Sequence, residues 1–167
     1  GNDTVNAAGN LAFGTTIVGG AGTDTLNITA VEVIGDASVV SGFETLGIDG
    51  NLSIDLDVYS NNTFTTVSLA TDAGHTNTIS SIRSEVIQSG VALAADATLT
   101  LESSAGSSDS VSLKFSAAAG YTTTNDYAID AVETVNIETD DSDDTTYGTF
   151  TVLLDADDLN TINVTGD

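Results

Sequence analysis

The sequence predicts an all-β fold, specifically a parallel β-solenoid with β-roll-type corners and coils of about 20–25 residues. Three observations predict it. Thr, Ser, Asn, Asp, Gly, Ala and Val dominate the composition, while Pro, Met, Cys and Trp are absent. Thr, Val and Ile favour strands, and Gly, Asn and Asp favour turns. A short motif recurs at a near-constant spacing. Apolar and small polar residues then alternate after each copy, as a strand with one buried face requires.

The repeat starts at Asp3-Thr4-Val5-Asn6 and returns as Asp24-Thr25-Leu26-Asn27. Looser copies are Glu44-Thr45-Leu46-Gly47 and Thr65-Thr66-Val67-Ser68. Val5, Leu26, Leu46 and Val67 are the apolar anchors, and Val86, Val111, Val135 and Ile162 continue the series at less regular spacing, with 24 and 27 residues between the last three. Most anchors carry a second apolar residue two places on, such as Ile28, Ile48, Leu69, Leu113, Ile137 and Val164. A second short apolar strand precedes many anchors, as at Thr16-Ile17-Val18, Leu99-Thr100-Leu101 and Val152-Leu153-Leu154. The two halves echo each other: Gly42-Phe43-Glu44-Thr45-Leu46 resembles Ala131-Val132-Glu133-Thr134-Val135. One coil cannot bury its inner face alone, so stacked coils must share a core. An antiparallel β-sandwich is the alternative, since its strands also recur at short intervals. The expected organisation is one repetitive β domain over 1–167, as a fragment or repeat unit of a larger protein or polymer. An irregular insertion is expected over 71–97, where Ser80, Ile82, Val86 and Ile87 fit either a helical turn or a lateral strand.

Charge is the second large signal. There are 25 acidic residues against two basic ones, for a net charge of −23. Such a surface repels nucleic acid and anionic membranes, so neither is an expected partner. It also repels itself and needs screening salt or bound cations. Carboxylates and carbonyls are hard oxygen ligands suited to calcium. An acidic halophile surface is the competing explanation of the charge. Without Cys there are no disulfides or thiolate metal sites. No run is long enough to span a bilayer as a helix, so membrane insertion is not expected.

One motif carries chemistry. Residues 19–27 read Gly19-Gly20-Ala21-Gly22-Thr23-Asp24-Thr25-Leu26-Asn27. They match the calcium-binding nonapeptide G-G-x-G-x-D-x-U-x in full, and Gly1-Asn2-Asp3-Thr4-Val5-Asn6 matches its last six positions. The glycines let the backbone turn tightly, the Asp supplies a carboxylate, and the apolar residue enters the core. One turn offers too few oxygens for calcium, so a neighbouring coil must complete the set. Asp3, Gly20, Gly22 and Asp24 are therefore the leading candidate ligand positions. Weaker candidates are Asp140, Asp141 and Asp143, which neighbour Asp144, and Asp155 and Asp157, which neighbour Asp158. Asp55 and Asp57 form another small cluster. None of these fits an EF-hand loop.

Together with the runs 22–30, 132–137 and 159–167, the nonapeptide resembles RTX-type secreted proteins and adhesins, and bacterial surface-layer proteins exported by type I secretion. The resemblance covers most of the chain as texture but only residues 1–28 as a defined motif. It implies calcium-dependent folding outside the cell and self-assembly into a homo-oligomer, lattice or filament at the bacterial surface, with cell-surface polysaccharide as a further candidate partner. The longer coil and the degenerate later copies depart from an uninterrupted calcium ladder. Gly1 opens inside the motif and Asp167 follows a strand, so end-to-end stacking or continuation into further coils is expected.

Catalysis is not expected. His75 is the single histidine, and no G-x-S-x-G is present. Parallel β-helices can host polysaccharide-cleaving carboxylates. Yet two cations on a chain of this charge bind acidic polysaccharide poorly. An adhesin module, recognising its ligand through 71–97 or 116–127, is the alternative to a structural segment.

Overall fold

The computed structural model describes residues 1–7, 16–29, 39–69, 75–89, 96–103, 107–117, 122–141 and 149–166. The fold is a β-solenoid, nearly all strand. Its long wall is an eight-stranded sheet. Along the wall lie Thr4–Ala7 (β1), Thr25–Ile28 (β3), Thr45–Ile48 (β5), Thr66–Leu69 (β7), Val86–Ser89 (β9), Ser110–Ala117 (β11), Thr134–Asp141 (β13) and Thr161–Gly166 (β15). A facing five-stranded wall holds Ser53–Asp55 (β6), Thr76–Ile82 (β8), Asp96–Leu101 (β10), Thr122–Ile129 (β12) and Thr149–Asp155 (β14). Ile17–Val18 (β2) pairs with Val40–Ser41 (β4). Every described pairing is parallel, which rules out the antiparallel sandwich.

Register follows the sequence repeat. Thr4 faces Thr25, Thr25 faces Thr45, and Thr45 faces Thr66, so equivalent residues of successive coils form columns. Leu26, Leu46, Val67 and Ile87 form one inward column and Ile28, Ile48 and Leu69 the next, all essentially inaccessible. Burying one such side chain contributes about 1.5–3 kcal/mol, against about 1 kcal/mol or less for an exposed ion pair. These columns therefore hold the coils together. The aromatic pairs Tyr59–Phe64 and Phe115–Tyr127 fill wider parts of the core edge-to-face, with centroids 6.1 and 5.8 Å apart.

The expected series of anchors slips at its fifth member. Ile87, not Val86, continues the column from Val67, and Ile87 faces Leu113 rather than Val111. Beyond this slip the coils lengthen, with contacts spaced 24 and 27 residues apart instead of 20 or 21. Within 71–97 the structure describes 75–89 and 96–97. Apart from His75 and the turn 83–85, these residues form β8 and β9 and the start of β10, all in parallel register with their neighbours. Ser80, Ile82, Val86 and Ile87 thus lie on strands. The apparent irregularity is a bulge: Ile79 faces Leu99 and Ile82 faces Leu101, so Ser80 and Ser81 together oppose Thr100. Ser81 takes the left-handed conformation this needs, with φ 61°. Among the described residues no helix is long and apolar enough to cross a membrane.

Candidate metal centre

The residue just ahead of each long-wall strand occupies one corner of the solenoid. In order these are Asp3, Asp24, Glu44, Thr65, Glu85, Asp109, Glu133 and Asn160. Six are acidic. The corner is acidic because a carboxylate here can reach back and accept the N–H of the preceding coil, a group the wall does not pair. Asp24 Oδ1 accepts from the Asp3 N–H at 2.7 Å. Glu44 Oε2 accepts from the Asp24 N–H at 2.8 Å, and Glu133 Oε2 from the Asp109 N–H at 2.8 Å. Glu85 differs, accepting the Arg83 and Ser84 N–H groups of its own turn.

The glycine turn sits against this corner. Gly20 and Gly22 adopt φ of 99° and 142°, conformations L-residues rarely take, so glycine is required for the turn itself. A side chain at Gly22 would collide with the Gly1 carbonyl, and the Thr23 N–H bonds Asn2 Oδ1 at 3.1 Å. The nonapeptide turn thus stacks directly on residues 1–2. At Gly19 an added Cβ would collide with the Gly42 carbonyl oxygen and sit 3.0 Å from Asp24 Oδ2. Two oxygens from successive coils therefore close on the bare face of Gly19.

Asp24 is completely buried, and its Oδ2 has no hydrogen-bond partner among the described residues. The described ion pairs all belong to Arg83 and Lys114, so no basic side chain compensates it. Burying an uncompensated carboxylate oxygen is costly. A cation on Oδ2 would remove that cost. Glu44 grips the backbone of the same residue, and the Gly42 carbonyl supplies a second oxygen from the next coil. No group of three acidic or imidazole side chains gathers at one point among the described residues. Calcium needs six to eight oxygens, so carbonyls and water would have to supply most of them, as in a glycine-rich turn.

The other candidates are scattered. Asp3 is exposed and contributes its N–H, rather than its carboxylate, to the contact with Asp24. Asp140 lies on the outer face of β13, 3.5 Å from Lys114 Nζ, and Glu138 takes the same ammonium at 2.6 Å. The hydrogen bond that Lys114 donates to Glu138 holds its ammonium above the ordinary pKa. The side chain of Asp141, and Asp143 and Asp144 entirely, lie outside the described residues. Asp155 shares a shallow cleft with Asp96 and Asp126, whereas Asp157 stands exposed in the turn before β15. Asp55 caps the 3-10 turn Leu56–Tyr59 and accepts the Ser81 hydroxyl, while Asp57 pairs with Arg83. The sequence motif singles out Asp24 but not Glu44 or Asp109. A signal for the corner is present in the shared Asp-Thr-Leu, Glu-Thr-Leu and Glu-Thr-Val triplets, whose first member is always this residue. Asp109 repeats the Asp24 arrangement: its Oδ2 is also buried with no hydrogen-bond partner among the described residues, and its carbonyl accepts from the Glu133 and Thr134 N–H groups.

Comparison with protein-family models, curated proteins and solved structures finds no match. The chain's own geometry therefore carries the functional reading.

Proposed function

We propose that this chain is a calcium-stabilised structural segment of a bacterial cell-surface layer or extracellular fibre, without catalytic activity. The observation that carries the reading is the Asp24 carboxylate: fully buried, one oxygen without a hydrogen-bond partner among the described residues, at a glycine turn whose sequence matches the calcium nonapeptide. Supporting it are the net charge of −23, which disfavours the compact state unless cations bind, and a repetitive fold suited to extension. Asp24, Glu44 and the Gly42 carbonyl would hold the ion. Its role would be to tie the second coil to the third, so that folding follows entry into a calcium-rich exterior. The repetitive walls would serve as a scaffold that assembles with copies of itself.

The test is calcium titration of the metal-free protein by calorimetry, alongside Asp24→Asn. The wild type should bind calcium, and the Asp24→Asn variant should lose that binding while keeping its β circular dichroism. Equal calcium binding by both proteins would refute the site.

A further inference from the structure

Two clefts share Arg83 as a wall, each of about 270 Å³. The first opens between the 3-10 turn Leu56–Tyr59 and the turn 83–85 of the next coil. Leu56, Tyr59 and Phe64 line it as buried apolar residues, and Ser60, Thr63 and Ser84 add exposed hydroxyls. Glu85 also lines it and is only 6% exposed. Its Oε2 accepts the Arg83 and Ser84 N–H groups at 2.6 and 3.0 Å. Oε1 takes neither bond and is the oxygen left for the cleft.

The second cleft lies one coil further on, where Glu102, Ser103, Ser108 and Asp109 line it. Asp109 Oδ2 is buried with no hydrogen-bond partner among the described residues. Ser107 stands where Gly22 precedes Asp24, so the glycine turn of the calcium motif is not repeated here. Arg83 is gripped from both sides. Its Nη2 donates to Asp57 and Glu102, and its Nε donates to Glu102 at 2.6 Å. Nη1 takes part in none of these contacts, so its N–H groups remain as donors.

A sugar hydroxyl both donates and accepts, so neighbouring hydroxyls are met best by a carboxylate and a guanidinium together. Buried apolar residues beneath a few polar groups suit a pyranose ring with its C–H face inward. Charge selects among sugars. Arg83 is outnumbered by the carboxylates of Asp57, Glu85, Glu102 and Asp109, so a sugar acid is repelled. A neutral sugar avoids both that repulsion and the cost of desolvating a charge. Successive coils lie about 4.8 Å apart, close to the length of one pyranose unit in an extended chain.

We propose that the two clefts at Arg83 bind a neutral glycan laid along the solenoid axis, one pyranose unit to each cleft. Glu85 and Asp109 accept hydrogen bonds from its hydroxyls, and Arg83 Nη1 donates to them. This goes beyond the structural role and uses residues apart from Asp24.

The test is NMR titration of the isotope-labelled full chain in calcium. The probes are cellotriose, maltotriose and mannotriose, with trigalacturonate and chitosan trisaccharide as charged counterparts. At least one neutral trisaccharide should give saturable shifts at Ser84, Glu85 and Asp109, with a Kd of about 1 mM or tighter. Both charged sugars should bind more weakly than that one. Arg83→Met should weaken the neutral sugar by about tenfold or more, a loss of about 1.4 kcal/mol. Lys114→Met removes the same charge and also breaks two ion pairs, but outside the clefts, and should leave the Kd unchanged. Ser60→Trp fills the first cleft from an exposed turn position and decides the matter if Arg83→Met loses its β circular dichroism. It should weaken binding to a similar degree. No saturable shifts with any neutral sugar, undiminished binding by Arg83→Met or Ser60→Trp, or tighter binding of either charged sugar overturns the proposal.

Discussion

A carboxylate at position 24 is wholly buried in a chain with almost no counter-charge, and its second oxygen has nothing to accept from among the described residues. Asp24→Asn keeps an acceptor for the Asp3 N–H and removes the charge. Chemical denaturation in chelator should therefore show it as stable as the wild type or more so, by about 1–3 kcal/mol, since an uncompensated charge is gone. In calcium the order should reverse. Asp24→Ala should be less stable in both, because it also strands the Asp3 N–H, worth about 1–3 kcal/mol when left unsatisfied. Position 131 offers a second test at this scale. Ala131 sits at φ 54°, matching Gly42 at 73° in the echoing turn. Left-handed backbone costs an alanine about 1–2 kcal/mol, so Ala131→Gly should raise stability by about 1 kcal/mol in urea unfolding. Asp24 is legible in the sequence because the glycine spacing marks it. Glu44 is not, because its role needs the coils stacked 20 residues apart and its turn carries only one of the glycines.

The strands are more legible than the site, since burial writes a two-residue alternation wherever one face is covered. Leu26, Leu46 and Val67 are inward anchors in both sequence and structure. The pattern misleads at Val86 because Ile87 beside it is equally apolar, and only the register with Val67 separates them. It hides the order in 71–97 because a bulge puts Ile79 and Ile82 three residues apart, which breaks the alternation without breaking the wall. The inward columns predict unequal costs for truncation along the wall. Leu46→Ala should lose about 2–5 kcal/mol by urea unfolding, whereas Val164→Ala in the monomer should change stability by less than about 0.5 kcal/mol. Similar losses at both positions would mean that β15 is covered in the monomer.

Over the whole molecule, 25 acidic groups face two cations. Arg83 bridges Asp57 and Glu102, and Lys114 bridges Glu138 and Asp140, across neighbouring coils. Both basic groups are held above their ordinary pKa values by hydrogen bonds, first Glu102 and then Asp57 for Arg83, and Glu138 for Lys114. A basic group with a raised pKa contributes below its unfolded value and loses that contribution as pH rises through the folded one. For Lys114 the loss therefore begins only above its ordinary 10.5. The melting difference between wild type and Lys114→Met should accordingly be the same at pH 7 and pH 9. The sequence holds no third Lys or Arg to offset the remaining charge, so monovalent salt should stabilise by screening, and a bound divalent ion should add to this at fixed ionic strength.

That addition is the most direct measure of the central claim. Thermal unfolding of the wild type and Asp24→Asn is compared in excess calcium and in chelator, with ionic strength held constant. A site filled to 100 times its Kd stabilises by about 2.7 kcal/mol, or about 5–10 °C for a chain of this size. The wild type should gain that much in calcium, and Asp24→Asn should gain little. Equal melting of the wild type in calcium and chelator, or an equal gain in the variant, would contradict a cation held at Asp24.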